Sequence, residues 1–255
     1  MNSFIVIREE VVPAQLSESE VRDYLSLHLN GSIRMPFENP VFDFKIFEKN
    51  EEEQKLTLIA YPGKYIEEYQ KILENVSLKP EVADLATLSL YRIAKKQEML
   101  QVDEETYTLM LQWNAYHLNM GVYYQNRPTF LRNSYSEHLA DSWSLEKTGE
   151  WVWQQSEEEL EAVLDDQLDG VERFLDFYRF SVLNGENQIS EIILNGYYPN
   201  LPYLKEKIIE RFGVNVQILE LPKDITQPFA ALYGLSLKET KNKKEKKHAI
   251  GGSRK

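Results

Sequence analysis

Hydrophobic and polar positions over residues 1–78 follow the order of a small α+β unit. The run FIVIREEVV at residues 4–12 is rich in branched side chains and predicts a strand that Pro13 ends. Ser17 and Glu20 then have the spacing of a capping box, which starts a helix. Alternating positions predict strands at 41–47 and 55–61. A second helix follows, with its apolar face formed by Ile66, Tyr69, Leu73 and Val76.

Residues 79–237 alternate strands with helices, which indicates α/β packing. Ser156 and Glu159 form a second capping box before a long amphipathic helix. The residues of this helix that are expected to face inward are Leu160, Val163, Leu164, Leu168, Val171, Phe174, Leu175 and Tyr178. The other predicted elements are a helix at 82–93, strands at 107–111, 118–124 and 128–132, a strand at 190–194, a helix at 204–212, a strand at 214–219 and a helix at 229–237. The polar and aromatic stretch 133–155 predicts no definite element.

The charge distribution separates an acidic body from a basic end. The 255 residues carry a formal net charge of −12. Residues 238–255 contain eight Lys or Arg and two Glu, a balance of +6, which leaves −18 for residues 1–237. An acidic body repels a phosphate backbone, so no specific nucleic acid is expected as a partner. The composition of residues 238–255 predicts a disordered tail. This tail would either keep the protein soluble or be attracted to anionic lipid or nucleic acid.

The chain lacks the residues that several kinds of catalytic, metal-binding or disulfide chemistry require. The chain has no Cys, which excludes a disulfide framework, a thiolate metal site and a cysteine nucleophile. His28 fits the edge of a packed helix, and His117 and His138 have no second ligand at metal spacing. The acidic run at 157–159 and the pair Asp165–Asp166 fit a solvated helix face. We therefore expect neither an enzyme nor a metal site.

No run of about 20 apolar residues spans a bilayer, and no basic-then-apolar start marks a signal peptide. These observations predict a cytoplasmic protein.

Four landmarks, taken in order, resemble a known family. The first is VIREEVVPAQLSESEVRDYL followed by FENPVFDFKIF, a strand, a proline, an acidic helix and a strand with an Asp-aromatic pair. The second is YIEEYQKILENVSLKPEVADLATLSLYRI, and the third is RPTFLR. The fourth is ISEIILNGYYPNLPYLKEKIIERFGVNVQIL, a strand, turn, helix and strand. Their order and spacing resemble the PilM family of type IV pilus assembly proteins, actin-like relatives of the division protein FtsA.

The resemblance implies an α/β fold with an actin-like, ribonuclease H-like core. Residues 1–78 would form the small α+β inserted subdomain that FtsA-like proteins carry. Residues 79–237 would form the actin-like core, and 238–255 the basic disordered tail.

The resemblance also raises the question of a nucleotide site. Actin-like ATPases hold phosphates through two Asp-x-Gly loops, and small residues let the backbone approach the ligand. The first loop would precede Phe4, where this sequence has no such segment. The second would fall at Leu111–Asn114, which has neither a carboxylate nor a glycine, and the adenosine turn at 195–199, where two tyrosines replace small residues. The degenerate positions are Gln112, Trp113, Asn114, Asn195, Gly196 and Tyr197. We expect that no cofactor is bound; ATP with Mg²⁺ is the alternative.

Three functions remain open at this point. The first is a non-enzymatic scaffold of a type IV pilus, competence pseudopilus or type II secretion-like machine, at the inner face of the cell membrane. The resemblance implies that it binds the cytosolic tail of a PilN-like membrane protein and reaches the membrane only through that partner; self-association is also implied. Candidate contacts in a groove between subdomain and core are Arg34, Phe37 and Tyr91. The second is an ATP-dependent switch whose first phosphate loop lies outside this sequence, and the third is an adaptor driven by the basic tail.

Overall fold

The protein is built around two β-sheets. The computed structural model describes residues 4–29, 31–100, 105–115, 117–135, 142–148, 151–198 and 200–238. The elements of the first part are β1 (Val6–Pro13), α1 (Glu18–His28), β2 (Pro40–Lys49), β3 (Glu53–Pro62) and α2 (Gly63–Asn75). The elements of the second part are α3 (Ala86–Lys96), β4 (Tyr107–Trp113), β5 (His117–Tyr124), β6 (Arg127–Tyr135), β7 (Trp143–Leu145), β8 (Trp151–Trp153), α4 (Glu157–Phe177), a π-helical turn (Tyr178–Val182), β9 (Ile189–Gly196), α5 (Leu201–Phe212), β10 (Asn215–Ile218), a 3-10 turn (Gln227–Phe229) and α6 (Ala230–Ser236).

The smaller sheet is antiparallel, with β3 between β1 and β2. Helix α1 covers one of its faces, because Val21 and Leu25 lie one turn apart and are both buried. The predicted capping box is confirmed: the Ser17 amide donates to Glu20 Oε2 at 2.8 Å, and Ser17 Oγ accepts from the Glu20 amide. The core of this part is formed by Val12, Val21, Leu25, Leu29, Ile33, Leu56 and Leu58.

The larger sheet has the order β10-β9-β4-β5-β6 and is covered on both faces. Strands β4, β9 and β10 are parallel, and β5 and β6 are antiparallel to their neighbours. Helices α4 and α5 pack on one face, and α3 and α6 pack on the other. The result is a three-layer α/β/α arrangement, as the alternation of helices and strands predicts.

The long helix α4 begins and packs as predicted. The Ser156 amide donates to Glu159 Oε2 at 3.0 Å, which confirms the second capping box. Five of the eight residues predicted to face inward are fully buried, and the remaining three are half-buried; the buried ones are Leu164, Leu168, Val171, Phe174 and Tyr178. The Tyr178 hydroxyl lies 2.8 Å from Thr129 Oγ1, and burial raises the pKa of Tyr178 to about 12.

Two local predictions differ from the structure. The helix predicted at 82–93 begins only at Ala86, after Leu85 in an extended conformation; Asp84, just before it, pairs with Arg92 and accepts from the Ser89 hydroxyl at 3.1 Å. The unassigned stretch 133–155 contains the hairpin of β7 and β8, in which Trp143 packs edge-on against Trp153 at 5.2 Å between ring centres. Residues 239–255, most of the predicted tail, lie outside the described residues, and the subdomain boundaries stay a prediction.

Candidate functional site

Helix α2 carries a stripe of apolar side chains, most of which are exposed in the described structure. Gly63 is the single buried residue of this 13-residue helix. Tyr69, Ile72 and Val76 are 49%, 60% and 64% exposed, although they share one face. Tyr65 continues the stripe and stacks on Phe4, with ring centres 5.4 Å apart. We name Tyr65, Tyr69, Ile72 and Val76 the α2 stripe. Contiguous exposed apolar surface of this kind marks an interaction site more often than chance exposure does.

The smaller sheet meets the larger one at a junction centred on Arg127. Arg127 opens β6, and its guanidinium lies over the Phe47 ring at 3.9 Å from the ring centre. It also forms an ion pair with Glu9 of β1. The Arg127 side chain is only 12% exposed, whereas Glu9 is 55% exposed. This contact is not predictable from the sequence, because a charged residue at the start of a strand carries no signal of long-range pairing.

The three candidate groove contacts lie in different environments. Arg34 is exposed and Phe37 is half-buried in the loop between α1 and β2. Tyr91 lies on α3 and stacks on Tyr123 at 4.3 Å between ring centres. Its hydroxyl donates to Asn126 Oδ1 at 3.0 Å, and burial raises its pKa to about 12. Tyr91 therefore packs within the larger part, and its role in partner binding stays a prediction.

Replacing Arg127 is expected to loosen the junction. Arg127→Ala removes a largely buried cation–π contact worth about 1 kcal/mol. It also removes the ion pair with Glu9, which contributes less because Glu9 is exposed to solvent. We expect a loss of about 1–2 kcal/mol in the free energy of unfolding and faster amide exchange in β1. Urea denaturation and hydrogen exchange measure the two effects.

Arg22→Ala is the matched control for that variant. Arg22 also pairs with a carboxylate, Asp43 at 2.8 Å, and lies over the Phe44 ring at 5.2 Å, but all three residues belong to the smaller sheet and its helix. Equal losses for the two variants would contradict a special role of Arg127 at the junction.

The predicted second phosphate loop and adenosine turn come together at one edge of the larger sheet. Strands β4 and β9 are parallel neighbours, with Gln112 opposite Asn195 and Trp113 opposite Gly196. Their carboxyl ends therefore open to the same side, where ligands bind in α/β sheets. The turn after β9 is tied to β4, because the Tyr197 amide donates to the Trp113 carbonyl at 2.7 Å. The structure thus brings the six degenerate positions into one region.

Within this region the Trp113 ring and the Gly196 backbone contact other parts of the protein. The Trp113 side chain is buried in the main core and contacts Tyr198 edge-on at 6.2 Å. Gly196 has φ +138°, and an added Cβ would overlap the Trp113 backbone. The absence of a side chain at Gly196 is therefore required by β4, without any ligand. Trp113 does not fill the cavity in front of the strands, since its ring lies on the opposite face of the sheet.

Polar uncharged residues line a cavity of about 290 Å³ at this edge. Its walls are Ala86, Gln112, Asn114, Ala115, His117, Asn119, Trp151, Tyr197, Gln227 and Ala231. Trp151, Tyr197 and Gln227 also line a wider adjoining groove of about 770 Å³. Burial lowers the pKa of His117, so its imidazole is neutral at pH 7.

These walls do not fit a magnesium–nucleotide. Among the residues that line the two cavities, Glu220 is the one with a formal charge at neutral pH, and it would repel phosphate. A phosphate site needs Lys, Arg or several backbone amides, and Mg²⁺ needs carboxylates. The predicted second phosphate loop at Leu111–Asn114 contains no carboxylate, and the neutral carboxamide of Gln112 is a poor ligand for Mg²⁺. We derive no step through ATP.

The other candidate metal-binding and catalytic residues are not brought together in the described part of the structure. In the described ranges no group of three His, Asp or Glu is placed to hold a metal ion. His28 Nδ1 lies 2.7 Å from Ser32 Oγ, and its ring contacts Tyr24 at 4.1 Å. His138 lies outside the described residues. None of the helices in the part of the chain that the structure describes combines the length and apolarity needed to cross a membrane.

Comparison with known proteins shows a clear likeness. A family model described as type IV pilus assembly protein PilM matches residues 1–227. A chain of the solved PilM-PilN type IV pilus biogenesis complex aligns with a TM-score of 0.65 at 16% identity, over 91% of this chain and 76% of that one. No curated protein sequence matches. At this identity the structural likeness establishes the fold, and the predicted actin-like α/β class is confirmed.

Two more distant structures align with a TM-score of 0.39, below the level at which two folds count as the same. One is a Bacteroides thetaiotaomicron protein of unknown function with an actin-like ATPase fold, 12% identical over 89% of this chain and 69% of that one. The other is an archaeal actin homolog, 11% identical over 62% of this chain and 55% of that one.

Proposed function

This chain belongs to the family of the type IV pilus assembly protein PilM, and from that premise we propose that it is a non-enzymatic scaffold that binds the N-terminal tail of a PilN-like membrane protein. The assignment to pilus assembly follows from the family. The PilN-like partner is supported by the solved complex of the structural relative with PilN. The family that the sequence landmarks resemble is thereby confirmed.

The observation that carries the scaffold proposal is the α2 stripe. A helix that buries one residue out of thirteen gains little stability from its own chain, and the exposed apolar surface of its stripe would become buried against a partner. A short apolar segment of the partner would lie along Tyr69, Ile72 and Val76 and bury their exposed surface. Tyr69, Ile72 and Val76 have the i, i+3 and i+7 spacing with which one face of a helix packs against an apolar partner surface.

The Arg127 junction supports the same placement. It fixes the smaller sheet, which carries α2, against edge strand β6 of the larger sheet. Because α2 follows directly on β3, the junction also fixes the end of β3 from which the helix starts. A rim of charged residues on α2 (Lys64, Glu67, Glu68, Lys71 and Glu74) would surround the apolar centre, as in other interfaces.

The location and chemistry follow as parts of the proposal. The protein would act in the cytoplasm and be held at the inner face of the membrane by its partner. It would need no nucleotide, because the walls of the cleft lack a cation for phosphate and a carboxylate for Mg²⁺ at Gln112. The ATP-dependent switch is the alternative, and no observation in the described residues favours it.

Titration with a synthetic peptide of the partner's N-terminal tail tests the proposal. We expect saturable binding with Kd of about 1–10 μM, a free energy near −7 to −8 kcal/mol. Absence of binding at millimolar peptide to a folded sample would overturn the scaffold proposal. Binding of ATP with Mg²⁺ below about 10 μM in the same assay would replace it with the switch.

A further inference from the structure

The basic tail, residues 238–255, is a feature that the proposed function leaves without a role. It contains eight Lys or Arg and two Glu, a balance of +6. Its first residue is held against the body of the protein: Lys238 Nζ lies 3.7 Å from Asp84 Oδ1 and donates to the Ala83 carbonyl at 3.5 Å. Residues 239–255 lie outside the described residues, but their charge follows from the sequence. The positive charge therefore begins at a defined point of the surface, just after α6.

The helix that leads into the basic tail exposes apolar side chains. Phe229 and Leu232 are 50% and 60% exposed, and their spacing of three residues makes them neighbours on the surface. The opposite side of α6 packs against α3, where Ala230 and Gly234 are buried. Leu232 lies six residues before Lys238, less than two helical turns. An apolar surface thus adjoins the start of the basic tail.

Positive charge continues on the neighbouring helix. Helix α3 ends in Lys95 and Lys96, both exposed, with one carboxylate, Glu98, directly after them. Lys96 reaches α6, because its Nζ lies 5.9 Å from the centre of the Tyr233 ring and donates to the Tyr233 hydroxyl at 3.4 Å. Tyr233 follows Leu232 in the chain, so cationic and apolar groups share this surface.

We propose that α6 and the basic tail form a surface that binds directly to an anionic lipid bilayer. The cationic side chains of the tail would contact acidic headgroups, and Phe229 and Leu232 would enter the boundary between headgroups and acyl chains. Binding of such surfaces increases with the buried apolar area and with the attraction to anionic lipid, so the two features act together. This attachment is direct, whereas the family resemblance implies attachment through the partner alone.

The fold keeps the most acidic helix away from a membrane bound at α6. Helix α4 carries nine carboxylates and one Arg. It packs on the opposite face of the larger sheet from α3 and α6, about 20 Å away across the three layers. Exposed charges are screened beyond about 8 Å at physiological salt. The charge of −18 on residues 1–237 is therefore compatible with this contact when α6 faces the membrane.

The composition of the basic tail favours lipid over nucleic acid as its partner. Proteins that hold single-stranded nucleic acid combine cationic groups with aromatic rings that stack on bases. Residues 238–255 contain no Phe, Tyr or Trp. The exposed apolar pair on α6 gains free energy from burial in an acyl layer and gains none from a phosphate backbone.

Co-sedimentation of the full chain with lipid vesicles, in the absence of any other protein, tests the inference. One set of vesicles contains equal parts phosphatidylglycerol and phosphatidylcholine, and the other contains phosphatidylcholine alone. We expect at least tenfold stronger binding to the anionic set at about 0.1 M salt, and its loss at about 1 M salt, where the screening length is about 3 Å. Equal binding to both sets, or binding to neither, would overturn the inference. The partner peptide is absent from this assay, so its outcome is independent of the peptide titration.

Charge variants of the full chain measure the contribution of the basic tail. Five Lys→Gln substitutions in the tail are expected to weaken binding to anionic vesicles at least tenfold, at Lys241, Lys243, Lys244, Lys246 and Lys247. Five Lys→Gln substitutions at exposed positions of the body are the control, at Lys45, Lys49, Lys64, Lys71 and Lys79. Both variants change the net charge equally, and the control is expected to bind within about threefold of the unchanged protein. Equal losses would show that net charge and not the tail controls binding, which contradicts the proposal.

Leu232→Ser tests the apolar contact. It is expected to weaken vesicle binding at least threefold, without a loss of folding, because the side chain is exposed. Leu27→Ser is the control, since Leu27 is an exposed leucine of α1, in the smaller part of the protein. Unchanged binding by Leu232→Ser would exclude α6 from the surface and overturn the assignment. Binding of a short DNA duplex as tight as that of anionic vesicles would overturn it as well, in favour of nucleic acid.

Discussion

Ile72→Asp is expected to weaken binding of the PilN-like tail strongly while the protein stays folded. Ile72 lies at the centre of the α2 stripe and is 60% exposed, so its replacement opens no cavity in the core. In the bound state, however, the carboxylate would be desolvated against an apolar partner face, which is costly without a counter-charge. We expect a loss of about 100-fold in affinity, or about 2.8 kcal/mol, and a change in melting temperature of no more than a few degrees.

Gln70→Asp is the matched control for Ile72→Asp. It adds the same charge to the same helix but lies about 200° away around the helix axis. Its affinity for the peptide is expected to stay within about twofold of that of the unchanged protein, since exposed rim charges contribute little. The two titrations, each with a melting curve, separate a local effect from a general effect of charge.

Other outcomes of the same experiment have definite meanings. If Ile72→Asp binds the peptide normally, the α2 stripe is not the docking surface, and the loop with Arg34 and Phe37 becomes the next candidate. If the unchanged protein sediments as a dimer and Ile72→Asp as a monomer, a second copy covers the stripe, which would agree with the implied self-association. Both results contradict the placement of the peptide on α2.

The elements with strong local signals are those that the sequence predicted well. Both capping boxes, at Ser17 and Ser156, form as expected because a cap depends on residues three positions apart. The strands of the smaller sheet fall within about two residues of their predicted bounds for a similar reason, since alternation is a local pattern. Helix α3 begins four residues later than predicted, and its Asp84–Arg92 ion pair is a contact that helical periodicity does not reveal.

Features that depend on distant residues were not predictable in this way. The apolar face of α2 is visible in the sequence, but periodicity does not tell whether another part of the chain covers it. The side-by-side placement of Asn119 on β5 and Asn133 on β6, which hydrogen bond to each other, depends on strand register, and neither residue has a signal of its own in the sequence. The ring of Trp113, one of the degenerate positions, lies in the core, so the argument against a nucleotide rests on the missing charges of the cleft.

Gly196→Ala is expected to cause a large loss of stability, and this would show what the glycine is for. At φ +138° an alanine is strained by about 1–3 kcal/mol, and the overlap of its Cβ with the Trp113 backbone adds about as much. We expect a loss of about 3–5 kcal/mol in the free energy of unfolding, measured by urea denaturation with an unchanged m-value. If Gly196 served only to admit a ligand, its replacement by alanine would cost little free energy of unfolding in the ligand-free protein.

Gly213→Ala isolates the contribution of the overlap. Gly213 ends α5 with φ +64°, and an added Cβ would meet no atom within 4 Å. Its replacement is expected to cost about 1 kcal/mol, the cost of the left-handed conformation alone. If both variants lose the same free energy, the close approach of β9 to β4 does not explain Gly196. A loss at Gly196 several times larger means that the turn is shaped by Trp113, and that a surviving glycine in this cleft is not evidence for a nucleotide.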